Sequence, residues 1–297
     1  MWDQQLKEIT TGNSKSLARC ISLIENEVEG YEILLQMLPN NTVPVIGITG
    51  PPGAGKSTLA DTLISMLVSK HKKVAVLCVD PSSPFNLGAL LGDRIRMSEW
   101  YDNPNVFIRS LATRGSLGGL HPKIIEITDL MKAAGFDYII VETVGVGQSE
   151  IEIAGLADIT AVVLVPEAGD EVQTMKAGLM EIADVFIVNK ADRPGADMFV
   201  KNLRLMLAPA FSNHKEEVPV IKTVASKKEG IEELYDIIEE KLSRHQTNTK
   251  RFWLLAEKAY QLIQQKRMKD IDKALLKSRI EESKGDFNLY SFIKKYY

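Results

Sequence analysis

Short β-branched apolar runs recur through the middle of the chain, at 43–49, 74–79, 106–111, 138–141, 159–165, 185–188 and 218–221. Amphipathic stretches lie between them, including 56–70, 123–134, 197–207 and 231–244, with apolar positions at helical spacing. Runs that are apolar on both faces read as strands covered on both sides. The alternation therefore predicts an α/β fold with a mostly parallel central sheet flanked by helices. Ligands of such sheets gather outside the carboxyl ends of the strands.

The two ends of the chain have a different rhythm. Across 13–38, Leu17, Cys20, Ile21 and Ile24 share one helical face, and the pattern stops near Pro39-Asn40-Asn41. Beyond Asn248 strand signals vanish, and Trp253, Ala256, Tyr260 and Ile263 fall at helical spacing, followed by Ile271, Ala274 and Leu275. Three segments are expected: an N-terminal helical segment at 1–42, a nucleotide-binding domain at 43–247, and a C-terminal helical extension at 248–297. The extension either packs back on its own domain or forms an arm that pairs two chains.

Composition changes this picture only by exclusion. With 297 residues, 45% hydrophobic and 25% charged, the chain can build a sizeable core. A net charge of −3, from 36 basic and 39 acidic side chains, supplies no global field to recruit nucleic acid or an anionic membrane. Cys20 and Cys78 cannot form a disulfide scaffold, and Cys78, inside an apolar run, reads as a buried reduced thiol. No secretory signal pattern opens the chain, and no apolar run approaches the ~18 residues of a membrane span, so a cytoplasmic location is expected.

The chemistry lies at two strand ends. Gly50-Pro51-Pro52-Gly53-Ala54-Gly55-Lys56-Ser57, followed by Thr58, fits Gly-x-x-x-x-Gly-Lys-Ser after the first apolar run. Its glycines let successive backbone N–H groups curl around phosphate oxygens at the start of the next helix. Lys56 would reach the β- and γ-phosphates, and Ser57 offers a hydroxyl to Mg²⁺. Asn189-Lys190-Ala191-Asp192 follows the run that ends at Val188. Asp192 would accept hydrogen bonds from the guanine ring N–H and exocyclic amine, with the stem of Lys190 along the base. Adenine lacks that donor pair and would leave the carboxylate desolvated. The bland readings are a strand-to-helix turn without ligand and a solvated charged turn; the order of the two motifs, each after a strand, favours GTP.

Hydrolysis also needs metal ligands and loops that sense the γ-phosphate. Asp80 closes the run at 74–79, Asp93 precedes a short helical stretch, and Glu142 closes the run at 138–141. Asp80 and Asp93 could instead be helix caps. Gly145, three residues past Glu142, would let a backbone N–H approach the γ-phosphate and swing away after cleavage.

Four segments together carry a resemblance: Asp80-Pro81-Ser82-Ser83-Pro84; Leu91-Gly92-Asp93-Arg94-Ile95-Arg96-Met97; Thr113-Arg114-Gly115-Ser116-Leu117-Gly118-Gly119; and Val141-Glu142-Thr143-Val144-Gly145-Val146-Gly147-Gln148-Ser149-Glu150. With the P-loop they resemble the MeaB/ArgK family, GTPases of the SIMIBI class that act as chaperones for adenosylcobalamin-dependent acyl-CoA mutases, chiefly methylmalonyl-CoA mutase. The resemblance is strong over 14–245. It implies Ser57, Asp80, Asp93 and Glu142 as Mg²⁺ ligands, Lys56, Asp93 and Glu142 as catalytic residues, and Asn189, Lys190 and Asp192 as base readers, with Ala225 and Ser226 completing the guanine pocket. It further implies switch segments containing Gly145 and Gln148, and, within 167–178, Gln173 and Lys176; from the residues alone those last two are a solvated helix face.

The chain departs from the family at Phe85-Asn86-Leu87-Gly88-Ala89-Leu90, where small residues are usual. Val146 also stands where small GTPases carry a water-orienting Gln, with Gln148 two residues on, so slow intrinsic hydrolysis quickened by a partner is expected. The leading functional expectation is a GTP-hydrolysing mutase chaperone with Mg²⁺, acting as a homodimer. A small-molecule kinase of the ArgK type stays open, as does a nickel-delivery GTPase. Against the latter, His71, His121, His214 and His245 are scattered and no Cys-x-x-Cys occurs.

Overall fold

Strand β1 (Val45–Thr49) is buried at every position, as its uninterrupted apolar sequence demands of a strand covered on both faces. The structure, a computed structural model, describes residues 2–80, 97–113, 120–143, 149–168, 177–211, 218–244, 249–283 and 287–296. Six further strands follow: β2 (Val74–Asp80), β3 (Val106–Ala112), β4 (Tyr138–Glu142), β5 (Ile159–Leu164), β6 (Val185–Val188) and β7 (Val220–Lys222). They form one sheet, ordered β3-β2-β4-β1-β5-β6-β7, with every pair parallel. β1 lies between β4 and β5, so the chain leaves it towards one half of the sheet and later returns to build the other. The carboxyl end of β1 is therefore a topological switch point.

The helices of the first half are α1 (Trp2–Thr10), α2 (Ser14–Glu25), α3 (Tyr31–Gln36), α4 (Lys56–Ser69) and α5 (Ile124–Lys132). Those of the second half are α6 (Ser149–Leu156), α7 (Ala177–Ile182), α8 (Ala196–Phe211) and α9 (Ile231–Ser243). One apolar cluster joins Leu59, Leu63 and Leu67 of α4 and Leu234 and Ile238 of α9 to inward positions of the sheet such as Ile46 and Val76. Each such aliphatic side chain contributes about 1.5–3 kcal/mol through burial. On the opposite face α6 approaches β1 closely: a Cβ on Gly47 would meet Ile153 Cγ1 at 2.6 Å and Ala157 Cβ at 3.0 Å.

The N-terminal stretch at 13–38 is two helices rather than one. Asn13 caps α2, its Oδ1 accepting from Lys15 N at 3.0 Å and Ser16 N at 3.1 Å. The chain then turns through Glu27 (φ 49°) and Gly30 (φ 85°), left-handed positions that no helix continues through. Helix α1, outside the spacing read from sequence, precedes them and buries Gln5 and Ile9. Leu17, Cys20, Ile21 and Ile24 are all buried on one face of α2, as their spacing predicts. Cys20 and Cys78 are buried thiols that form no disulfide.

The chain divides into two compact units, Met1–Arg251 and Phe252–Tyr297. The second comprises most of α10 (Thr249–Arg267) with α11 (Lys273–Glu282) and α12 (Leu289–Ile293). Phe287, Phe292 and Tyr296 pack in sequence as tilted ring pairs with centroids 5.5 Å apart. Trp253 is 80% exposed and Tyr260 64%. Among the described residues, no helix is long and apolar enough to cross a membrane.

Candidate nucleotide site

The loop from β1 to α4 is shaped by glycines that nothing else could replace. Gly50 has φ 137°, and a Cβ there would lie 2.1 Å from the Val163 carbonyl oxygen of β5. Gly55 has φ 89°, heads α4, and leaves room for Asn189, whose Nδ2 would be 2.4 Å from an added Cβ. Between them Pro51, Pro52, Gly53 and Ala54 turn tightly, Ala54 N donating to Pro51 O at 3.3 Å. Lys56 is buried, and its Nζ donates to Gly50 O at 2.9 Å and Pro51 O at 3.0 Å, so its ammonium lies inside the loop's concavity. Ser57 and Thr58 continue into the first turn of α4, where backbone N–H groups lack intrahelical partners and favour an anion.

Parallel pairing brings the candidate carboxylates to the same end of the sheet. Glu142 ends β4 and Asp80 ends β2; Cys78 is in register with Glu142, so Asp80 projects two residues further on the adjacent strand. Both are buried. Ser57 Oγ donates to Glu142 Oε1 at 2.6 Å. Behind them Thr49 and Thr143 share a hydroxyl–hydroxyl hydrogen bond of 2.9 Å that ties the end of β1 to the end of β4. The oxygen set of Ser57, Asp80 and Glu142 suits a hard divalent cation such as Mg²⁺. Among the described residues no three His, Cys, Asp or Glu side chains group to hold a metal. Asp93, the third expected carboxylate, lies outside the described residues, as do Gly145, Gln148, Gln173, Lys176 and the 85–90 segment.

On the other side of the loop, Asn189 is a clip. Its Nδ2 donates to Ala54 O at 2.9 Å, and its Oδ1 accepts from Thr223 Oγ1 and Ala225 N, both at 3.1 Å. One buried amide thus fastens the P-loop to the turn at Ala225-Ser226, which Thr62 also grips by donating to Ala225 O at 3.2 Å. Lys190 takes a left-handed conformation (φ 55°) and its Nζ donates to Gly53 O at 2.7 Å. Its stem therefore spans from the β6 end to the P-loop.

Asp192 brings in a partner that the sequence reading missed: Lys227 Nζ donates to Asp192 Oδ2 at 2.9 Å. That hydrogen bond holds the Asp192 carboxyl below the ordinary aspartate value and raises Lys227 above the ordinary lysine value. Lys227 follows Ala225 and Ser226 directly, but in sequence Lys227-Lys228-Glu229 reads only as a solvated charged turn. Thr49, Thr143 and Thr223 were likewise invisible, because a threonine beside a β-branched run reads as strand. Nearby, Arg193 pairs with Glu167, the first residue of the expected 167–178 segment, and holds its carboxyl below the usual range.

A P-loop at the switch point of a parallel sheet, with Asn-Lys-x-Asp two strands along, defines a P-loop GTPase. The family model described as Methylmalonyl Co-A mutase-associated GTPase MeaB matches residues 17–282, and the chain belongs to that family. A putative GTPase of Pyrococcus abyssi is 44% identical over 294 residues, spanning 97% of this chain and 89% of that protein. A fused isobutyryl-CoA mutase of Geobacillus kaustophilus is 36% identical over 237 residues, which are 75% of this chain but 22% of the fused protein. A crystal structure of an LAO/AO transport system kinase superposes with a TM-score of 0.67 at 27% identity, covering 91% of this chain and 84% of that one.

Proposed function

We propose that this GTPase is a chaperone of an adenosylcobalamin-dependent acyl-CoA mutase, foremost methylmalonyl-CoA mutase, coupling its nucleotide state to cofactor loading and to protection or reactivation of the mutase. The observation that carries the reading is the fused isobutyryl-CoA mutase. There a segment 36% identical to three quarters of this chain is joined covalently to a mutase, which supports a surface built to work against one. The family description, which names association with methylmalonyl-CoA mutase, supports the same partner.

In this reading the P-loop N–H groups at Gly53, Gly55 and the start of α4 cradle the phosphates, and Lys56 exchanges its loop carbonyl partners for phosphate oxygens. Ser57, Asp80 and Glu142, joined by Asp93, would hold Mg²⁺. When bound, the ion would neutralise charge developing on the transferring phosphoryl group. Glu142, already bonded to Ser57, fixes the spacing between the metal site and α4. Asp192 reads guanine, Lys190 covers the base, and Asn189 with Ala225 and Ser226 keeps the pocket attached to the P-loop. Segments containing Gly145 and Gln148, and Gln173 and Lys176, respond to the γ-phosphate. With Val146 in the place of a water-orienting Gln, basal turnover is slow and the mutase accelerates it.

The C-terminal helices form the arm of a homodimer, a reading supported by the exposed Trp253, Tyr260 and Ile263 along α10. Two buried cysteines outside any disulfide support a cytoplasmic setting. The test is protection: a cobalamin-dependent acyl-CoA mutase turning over with this protein and GTP should lose activity several-fold more slowly than with the Lys56→Ala variant. Equal inactivation rates with both would contradict the reading.

A second reading, phosphoryl transfer to a small acceptor, is favoured by the likeness to an LAO/AO transport system kinase. Labelled GTP incubated with small-molecule extract separates the two: labelled organic product favours transfer, and free phosphate alone favours hydrolysis.

A further inference from the structure

Strand β3 is an edge strand of the sheet among the described residues, hydrogen-bonded along its length to β2 from Val74↔Val106 to Asp80↔Ala112. At its end Thr113 N donates to the Asp80 carbonyl at 3.0 Å. On its other side β2 is in register with β4 only as far as Cys78↔Glu142, so at Asp80 the paired strand is β3, and an edge strand has a ladder on one side only. A side chain in the middle of β3 also ties the strand to α2. Arg109, in the middle of β3, forms an ion pair with Glu25, the last residue of α2, and donates to Ser22 Oγ at 3.1 Å. The same carboxylate reaches the turn before α5: Glu25 Oε1 lies 3.9 Å from Nε2 of buried His121, whose Nδ1 accepts from Lys123 N at 3.0 Å. Beside it Lys123 Nζ donates to Glu27 Oε1 at 2.7 Å and to Tyr31 OH at 2.9 Å. Burial works against the Lys123 ammonium, but these hydrogen bonds outweigh it and hold its pKa above the usual lysine value.

Attachment of α2 does not require these charges. Leu17, Cys20, Ile21 and Ile24 are all at or below 1% exposure and already bury its apolar face. A largely buried ion pair contributes little net stability over an apolar pair, but it accepts one geometry and penalises others. Glu25 is 10% exposed at its side chain and Arg109 22%, so a shift of β3 would separate charges that water cannot readily rescue.

We infer that Glu25 is a positioning residue for the metal-binding end of the site: through Arg109 it fixes β3, and through β3 it fixes Asp80. The N-terminal helices are then part of the catalytic scaffold. This rests on the assignment of Asp80 to the Mg²⁺ site proposed above.

The experiment uses the full chain and a fluorescent GDP, with two readouts: GDP affinity in EDTA, and the Mg²⁺ concentration that half-maximally slows GDP release. Loss of a residue that orients a metal ligand typically weakens metal affinity by about 10- to 100-fold. Glu25→Gln should therefore raise the half-maximal Mg²⁺ concentration by about tenfold or more, leave GDP affinity in EDTA within about twofold, and lower kcat with little change in KM. Glu25→Asp, which keeps the charge, should recover most of the Mg²⁺ response. If Glu25→Gln does not fold, Arg109→Lys carries the same test, since it keeps the charge but loses the planar fork. A folded variant with an unchanged Mg²⁺ response overturns the inference alone. Wild-type protein that binds GDP with no Mg²⁺ response at all overturns both the inference and the metal assignment beneath it.

Discussion

Ser57 Oγ lies 2.6 Å from Glu142 Oε1, joining the first turn of α4 to the last residue of β4 across 85 positions of sequence. The contact fixes the distance between the phosphate cradle and the carboxylate that closes the central sheet. If Glu142 is a metal ligand as proposed, Glu142→Gln replaces a hard anionic ligand with a neutral amide that can still meet the Ser57 hydroxyl. GTP turnover should fall by about a hundredfold, while GDP affinity in EDTA stays within a few-fold. Single-turnover hydrolysis and equilibrium GDP binding check the two halves. A parallel fall in metal-free binding would make Glu142 structural instead.

Gly50→Ala tests the shape of the P-loop. The added Cβ would lie 2.1 Å from the Val163 carbonyl in a left-handed backbone, and that carbonyl belongs to a central strand with no freedom to yield. The variant should lose about 1–3 kcal/mol of stability and most of its nucleotide affinity. A thermal melt followed by GDP titration measures both, and wild-type affinity in the folded variant would show that the loop tolerates a different path.

The Asp192–Lys227 pair makes a prediction about pH. If Asp192 reads guanine as proposed, it must be ionised to accept from the base; the Lys227 hydrogen bond holds its pKa below the ordinary value, so affinity is kept above that value and lost as pH falls through the depressed pKa. Lys227→Ala removes the cause, and the loss of GDP affinity should then begin at higher pH. GDP dissociation constants between about pH 4 and pH 7 test this. Superimposable acid limbs for the two proteins would mean that Lys227 does not tune the reader.

The arm is tested by charge. Trp253→Glu with Tyr260→Glu places carboxylates on side chains that are 80% and 64% exposed, so the fold of the chain should survive. If α10 pairs two copies, sedimentation velocity should show a dimer in the wild type and a monomer in the variant, with basal GTP turnover preserved. The same sedimentation for both would remove α10 from any interface.

The sheet was legible because its strands are buried on both faces: Val74–Asp80 and Tyr138–Glu142 are buried at every position, and such runs look alike in any context. The nucleotide loops were legible for a related reason, since phosphate cradling demands glycine and lysine at fixed spacing. Helix α1 escaped because two buried positions in nine residues make no periodic signal. The break between α2 and α3 escaped because Glu27, a side chain that rarely adopts positive φ, supplies part of the turn. Lys227, Thr62 and Glu25 escaped because their importance lies in pairings 35, 163 and 84 positions away, which no local pattern encodes. In sequence Asn189 reads as part of the base reader, whereas the task visible in the structure is fastening the P-loop to the Ala225 turn.

The most direct measurement is GTP turnover by the purified protein, alone and with a cobalamin-dependent acyl-CoA mutase from the same source, using Lys56→Ala as the blank. Slow basal hydrolysis stimulated several-fold by the mutase, and absent in the blank, is the expected result. Tight GTP binding with turnover unchanged by the mutase would contradict a mutase chaperone and direct attention to phosphoryl transfer or to another client.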